Sequence, residues 1–323
     1  TSGPHSFSVT ASDALGNVSE RSTAVPVTID TIAPDAATLV VTNDAGTTLA
    51  NGASTNDSTP TLSGTVEAGA TVSIYLNGST TPVGTAVVTG TTWTYTPTTP
   101  LIDGTYTIAV RATDLAGNTS VLSTSSTVVI DTVAPTGLTL NAGNNNGSTV
   151  TPITSGGSTN DSTPFLSGTA EAGSLVIIRE NGTAIGSVTV GANGNWSFAT
   201  TTALGDGLHT LTATATDAAG NIGAQSSVNF TVSTGAPTTP TLVITNDVTA
   251  VTVPNNGATN DSTPTLSGTA TAGNIITIYD GTTVLGSTTA IVGDTWSFNS
   301  PTLANGSHTL TISATDTLGN ATA

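Results

Sequence analysis

Carboxylates are the side chains of this chain best suited to chemistry, and the informative ones recur. The sequence carries 20 Asp and Glu against 3 Lys and Arg, a formal charge of −17, with 3 His and neither Cys nor Met. One set is Asp30, Glu67 and Asp114, matched by Asp131, Glu171 and Asp217 about one hundred residues later. Three carboxylates drawn together from distant sequence repel one another unless a cation neutralises them. Oxygen ligands without His or Cys select calcium over zinc or copper. A second set is Asp57, Asp161 and Asp261, with Asp103 and Asp206 and, in the last copy, Asn305. It has two readings: a second calcium site, or turns capped by carboxylates that accept backbone N–H groups. For Asp103-Gly104 and Asp206-Gly207 the turn is the better reading, because Asp-Gly is an ordinary turn dipeptide.

The other polar candidates read as structure. His5, His209 and His308 fall at the position of Tyr106, each two residues after a Gly. A site that takes either His or Tyr is a poor metal or acid–base centre. It suits a ring that packs and bonds nearby backbone through its polar edge, as in a tyrosine corner. Trp93, Trp196 and Trp296 share one position, with Tyr95, Phe198 and Phe298 two residues on. That spacing puts both rings on one face of a strand, so they read as core in preference to a sugar-binding platform.

The elements that must position these residues are set by repetition. Asn56-Asp57-Ser58-Thr59-Pro60 returns at Asn160 and at Asn260, and the phrase Ala112-Thr113-Asp114 with Gly117-Asn118 recurs at Asp217 and Asp316 and, with Ser12 for the Thr, at Asp13. Linkers of the form Asp30-Thr31-Ile32-Ala33-Pro34 and Asp131-Thr132-Val133-Ala134-Pro135 mark the joints, and Ser233-Thr234-Gly235-Ala236-Pro237 departs from them. Proline stiffens each short joint. The chain therefore divides into a C-terminal remnant of one repeat (1–33), two full repeats (34–134 and 135–236) and a final repeat cut before its last strand (237–323). It reads as a fragment, with any targeting signals of its parent outside it.

Within 34–134 the pattern is strand and turn throughout. It predicts strands at 38–42, 59–66, 71–76, 83–88, 92–95, 105–113 and 121–130, with a long polar loop from 43 to 58 and no helix. Seven short strands per hundred or so residues predict an all-β chain of tandem immunoglobulin-like Greek-key β-sandwiches, arranged in an extended rod. Strand alternation then places the turn bearing Glu67, the turn bearing Asp114 and the incoming linker with Asp30 at one end of the repeat. In the final repeat Ser233 replaces the linker Asp and Thr271 replaces the turn Glu. Coincident loss is what a shared ion would produce.

Taken together, Ser58-Thr59-Pro60-Thr61-Leu62-Ser63-Gly64-Thr65, Asp114 with Gly117-Asn118, and Asp30 with Ala33-Pro34 resemble the bacterial Ig-like repeats of giant surface adhesins, such as biofilm-associated and type I-secreted RTX-type adhesins. The resemblance covers essentially the whole chain. It implies a non-enzymatic extender at the bacterial cell surface, supporting adhesion or biofilm formation and stiffened by calcium at domain junctions. It also implies a looser joint at Ser233.

The acidic excess disfavours nucleic acid, which needs a basic surface. No apolar run is long enough to span a bilayer. The expected partners are calcium ions and neighbouring repeats of the same chain, in a monomer. Two alternatives stay open, a carbohydrate- or protein-binding module and an accessory region of a secreted enzyme.

Overall fold

The computed structural model describes residues 2–322. Strands and turns account for all of the regular structure among these residues, and no helix is long and apolar enough to cross a membrane. The chain forms two compact units, one of residues 1–135 with 216–223 and the other of residues 136–215 with 224–323.

The first unit opens with an antiparallel pair, Gly3–Phe7 against Val25–Ile29. A full β-sandwich follows. One sheet orders Val40–Thr42, Thr61–Thr65, Thr92–Tyr95 and Val87–Thr89, and the other orders Ala53–Thr55, Ser126–Ile130, Gly104–Thr113, Thr71–Leu76 and Gly84–Thr85. Period-two alternation explains the packing. Val72 and Ile74 on one strand and Ile108, Val110 and Ala112 on its neighbour face inward, and they meet Val41, Leu62 and Trp93 from the opposite sheet. Burying a side chain such as Leu62 or Ile74 stabilises by about 1.5–3 kcal/mol.

Three expectations change here. The strand expected at 83–88 divides between the sheets, Gly84–Thr85 pairing with Thr71–Leu76 and Val87–Thr89 with Thr92–Tyr95, because the chain crosses from one sheet to the other at Ala86. The loop at 43–58 contains a strand, Ala53–Thr55, which pairs in parallel with Ser126–Ile130. Its sequence has no alternation to announce it, and only the folded partner strand gives it a ladder. The last strand begins at Ser126 and not at 121. Before it, the Ser120 and Ser123 hydroxyls accept from the Ala112 and Val110 amides at 3.0 Å each, so side chains stand in for a regular ladder.

The second unit holds two further sandwiches. In the first of them Thr151–Ile153, Asn141–Asn144, Phe165–Thr169 and Asn195–Ala199 form one sheet. Ser158–Thr159, Ser226–Val232, Gly207–Thr216, Leu175–Glu180 and Thr183–Thr189 form the other. The last sandwich repeats the plan with Val251–Val253, Val243–Asn246, Thr265–Thr269 and Thr295–Asn299 facing Thr283–Thr289, Ile275–Asp280 and Leu310–Thr315. All three Trp are core: Trp93, Trp196 and Trp296 are 1%, 4% and 3% exposed.

In each sandwich the glycine of Ser-Gly-Thr is fixed by the close approach of another stretch of backbone. A Cβ on Gly64, Gly168 or Gly268 would lie 2.0, 2.0 or 1.9 Å from the carbonyl oxygen of Thr38, Thr139 or Thr241. That backbone contact is why Ser-Gly-Thr recurs in this strand.

Candidate functional site: the joint between repeats

The loop that follows the longest strand of each repeat is built around its Asp. Asp114 Oδ1 accepts from the amides of Ala116 (2.9 Å) and Asn118 (2.8 Å), and Asp114 Oδ2 accepts from Asn118 Nδ2 (2.8 Å). The same three bonds recur at Asp13, Asp217 and Asp316. Gly117, with φ 92°, supplies the left-handed step that the turn requires. The Asn118 side-chain amide, followed by backbone N–H groups, holds the Asp114 carboxyl below the ordinary carboxylate value. For Asp316 burial pushes upward most strongly, yet the hydrogen bonds from Asn320, Leu318 and Gly319 together outweigh it and lower the pKa.

This turn aims the Asn side chain at the linker. Asn118 Nδ2 donates to the carbonyl oxygen of Asp30 (3.3 Å), Asn221 Nδ2 to that of Asp131 (2.9 Å) and Asn320 Nδ2 to that of Ser233 (3.0 Å). The linker is tied from its other side as well. Asp103 Oδ1 accepts from Thr132 N (3.1 Å) and Oγ1 (2.9 Å), and Asp206 Oδ1 accepts from Thr234 N (3.0 Å) and Oγ1 (2.8 Å). Ser2 takes the place of Asp103 in the first copy and shares a hydroxyl hydrogen bond with Thr31 at 2.8 Å. In the first unit, Asn56 N also donates to Ala219 O (3.1 Å), adding a backbone contact beside the Asn221 bond.

The acids assigned to calcium are placed as follows. Asp30 and Asp131 each accept from the amide two residues on, Ile32 (3.0 Å) and Val133 (3.1 Å), which is an Asx turn within the linker. Glu67 and Glu171 supply main-chain carbonyls to their turns, accepting from Ala70 N (3.2 Å) and Ser174 N (3.2 Å). Thr271 does the same for Asn274 N (3.1 Å), so this turn needs no carboxylate. The loops of Glu67 and Asp114 are neighbours: a Cβ on Gly69 would lie 3.1 Å from Leu115. The carboxylates do not converge. Among the described residues no group of three or more acidic or histidine side chains is placed to hold a metal ion.

At the opposite end, Asp57, Asp161 and Asp261 are buried caps. Asp57 accepts from Thr59 N (2.8 Å) and Asp44 N (3.0 Å), Asp161 from Thr163 N (2.9 Å) and Asn145 N (2.8 Å), and Asp261 from Thr263 N (2.9 Å) and Asp247 N (2.8 Å). The Asp247 amide is the main cause of a lowered pKa at Asp261.

The His/Tyr position is a corner. Tyr106 donates to Ile102 O (3.0 Å), and the Nε2 atoms of His209 and His308 lie 2.7 and 2.8 Å from Gly205 O and Ala304 O. Sequence reasoning missed the second partner of each ring: His209 Nδ1 is 2.5 Å from Glu180, and His308 Nδ1 is 2.6 Å from Asp280. It also missed the reach of Asn118, Asn221 and Asn320. The signal was present, since Gly-Asn follows each loop Asp even where the linker Asp has become Ser233.

Strand order and joint geometry together define a tandem array of immunoglobulin-like sandwiches. The model of the bacterial Ig-like domain matches residues 31–132, 135–234 and 236–323, and the chain belongs to that family. No curated protein matches the sequence. Similar solved structures include the fibronectin(III)-like modules of Clostridium thermocellum CbhA, with 18% identity over 59% of this chain and 93% of that one and a TM-score of 0.35. A biofilm-associated protein BSP domain matches at 14% identity over 88% of this chain and 64% of its own length, with a TM-score of 0.20. The FN1–FN3 domains of chicken CNTN1 match at 11% identity over 89% and 94%, with a TM-score of 0.30.

Proposed function

We propose that this chain is a non-enzymatic extender of a bacterial surface adhesin, a series of repeats that carries a binding domain away from the cell and supports adhesion or biofilm formation. The observation that carries this reading is the joint. The same amide-to-carbonyl bond forms at Asp30, Asp131 and Ser233. It is made to backbone, so it survives the change of the linker residue from Asp to Ser. The resemblance to adhesin repeats supplies the extracellular, cell-surface setting. Polar surfaces rich in Thr, Ser and Asn support a mechanical role, and the rings of Tyr106, His209 and His308 bond the backbone of their own corners.

In this reading each Asn acts as a latch that restricts bending between its repeat and the preceding linker. A side-chain hydrogen bond of this kind contributes about 0.5–1.5 kcal/mol, enough to bias orientation without fixing it. The test is small-angle scattering on the chain and on N118A/N221A/N320A. The expected result is a broader distance distribution in the variant, with far-UV circular dichroism and the core melting transition retained. Identical distributions overturn the latch, and a compact globular distribution for the parent chain overturns the extender.

Calcium at the joints is a separate proposal. Asp30 Oδ1 and the Asp114 carboxylate accept from donors of their own turns, so calcium binding would have to draw these acids together or share them with those donors. It draws on the acidic excess and on the adjacency of the Glu67 and Asp114 loops. Calorimetric titration of the chain and of D30A tests it: a saturable site lost in D30A supports it, and no heat of binding removes it.

A further inference from the structure

The repeat at 34–134 contains a cleft of about 330 Å³ between the ends of its two sheets. Leu62, Ile74 and Ile108 form its floor, and each is 2% exposed or less. Leu76, Tyr95 and Tyr106 form its walls. Val83 and Ile102 stand at its rim, 49% and 79% exposed. No charged side chain lines it.

Comparison with the other repeats shows what is special here. The position of Leu76 is Glu180 or Asp280 elsewhere, and the position of Tyr106 is His209 or His308. In those repeats the two side chains pair with each other across the same place. Only in 34–134 are both replaced by apolar or aromatic groups. A third difference accompanies these two. Tyr95 stands where the others have Phe198 and Phe298. Its hydroxyl lies against Gly84 and makes no hydrogen bond among the described residues.

We propose that this cleft binds a small neutral ring compound that presents one hydrogen-bond acceptor to Tyr95. The volume lies at the lower end of ligand pockets, about 300–1,000 Å³. A cavity of roughly 150 Å³ takes benzene, so the cleft has room for about two fused rings. An apolar ligand would cover the exposed Ile102 and Val83 faces and gain by leaving water. A charged ligand finds no counter-charge in the lining. The free phenol fixes orientation at little cost, because its proton needs a partner once water is displaced. The proposal is independent of the extender reading, since it concerns one repeat and no joint.

The experiment uses the whole chain with two probes of matched shape, tetralin and its ketone 1-tetralone, followed by ligand-detected NMR and by chemical-shift changes at residues 76, 95 and 106. Saturable binding of both probes is expected, with the ketone several-fold tighter. Y95F, which restores the phenylalanine of the other repeats, should equalise the two. L76E/Y106H rebuilds the carboxylate–histidine pair that two other repeats already fold around, and it should weaken both probes at least tenfold while the melting transition persists. Absence of saturable binding in the parent chain overturns the proposal, as does unchanged affinity in L76E/Y106H. Equal preference for the ketone in Y95F overturns the assigned role of Tyr95.

Discussion

His308 is held at both ring nitrogens, by Ala304 O and by Asp280. Two acceptors demand two protons, so the carbonyl of Ala304 first, and then the Asp280 carboxylate, raise the histidine pKa above its ordinary value. The same bond from His308 lowers that of Asp280. The signs define a window. A raised histidine pKa gives stability that is complete below about 6.5 and lost as pH rises through the folded value. A lowered aspartate pKa gives stability present above about 3.8 and lost as pH falls. Melting temperature should therefore be higher at about pH 5.5 than at about pH 8.5, and D280L/H308Y, which copies Leu76 and Tyr106, should flatten this difference. An unchanged pH dependence in the double variant would refute the assignment. Asp114 belongs to the acid side: its lowered pKa means that its turn is intact above the unfolded carboxylate value and opens as pH falls through the folded one.

The strand that carries Gly64, Gly168 and Gly268 is the element least able to accept change. The carbonyl of Thr38, Thr139 or Thr241 occupies the space a methyl group would need. Backbone on both sides cannot yield as a side chain can, so G168A should cost about 1–3 kcal/mol by the overpacking measure. Denaturant unfolding with an unchanged m-value would report it, and a loss under half a kcal/mol would show that the strand shifts easily. At the turns the logic is reversed. Glu67, Glu171 and Thr271 all serve through main-chain carbonyls. E67T should leave the melting temperature within about one degree, since surface changes away from special features fall within about 0.5 kcal/mol.

For the molecule as a whole, three joints share one latch, and the first and second also share an Asx turn that Ser233 lacks. The third joint keeps the Asn320 bond and both bonds from Thr234 to Asp206; among the described residues it lacks that turn and a counterpart of the second joint's bond from Asn56 N to Ala219 O. The sequence had suggested a looser joint there. If hydrogen bonds alone hold the joints, scattering profiles with millimolar calcium and with chelator at matched ionic strength will superimpose. A chelator-dependent increase in flexibility would assign part of the stiffness to calcium.

Sequence by itself determined the repeat, most of the strands, the Trp core and the His/Tyr corner, because each follows from spacing along one chain: period two for burial, a fixed offset from Gly for the corner, identical phrases for the copies. It also placed the Glu67 and Asp114 loops side by side, since strand alternation decides which turns share an end. Only the tertiary structure decided where side chains point within those loops. Asp114, Asp217 and Asp316 turn inward to their own backbone N–H groups, and Asn118, Asn221 and Asn320 reach the linker instead. The parallel strand at Ala53–Thr55, the pairing of Glu180 and Asp280 with histidines and the apolar cleft were hidden for the same reason. Each depends on a partner tens of residues away, and local pattern carries no record of what a distant segment brings opposite it.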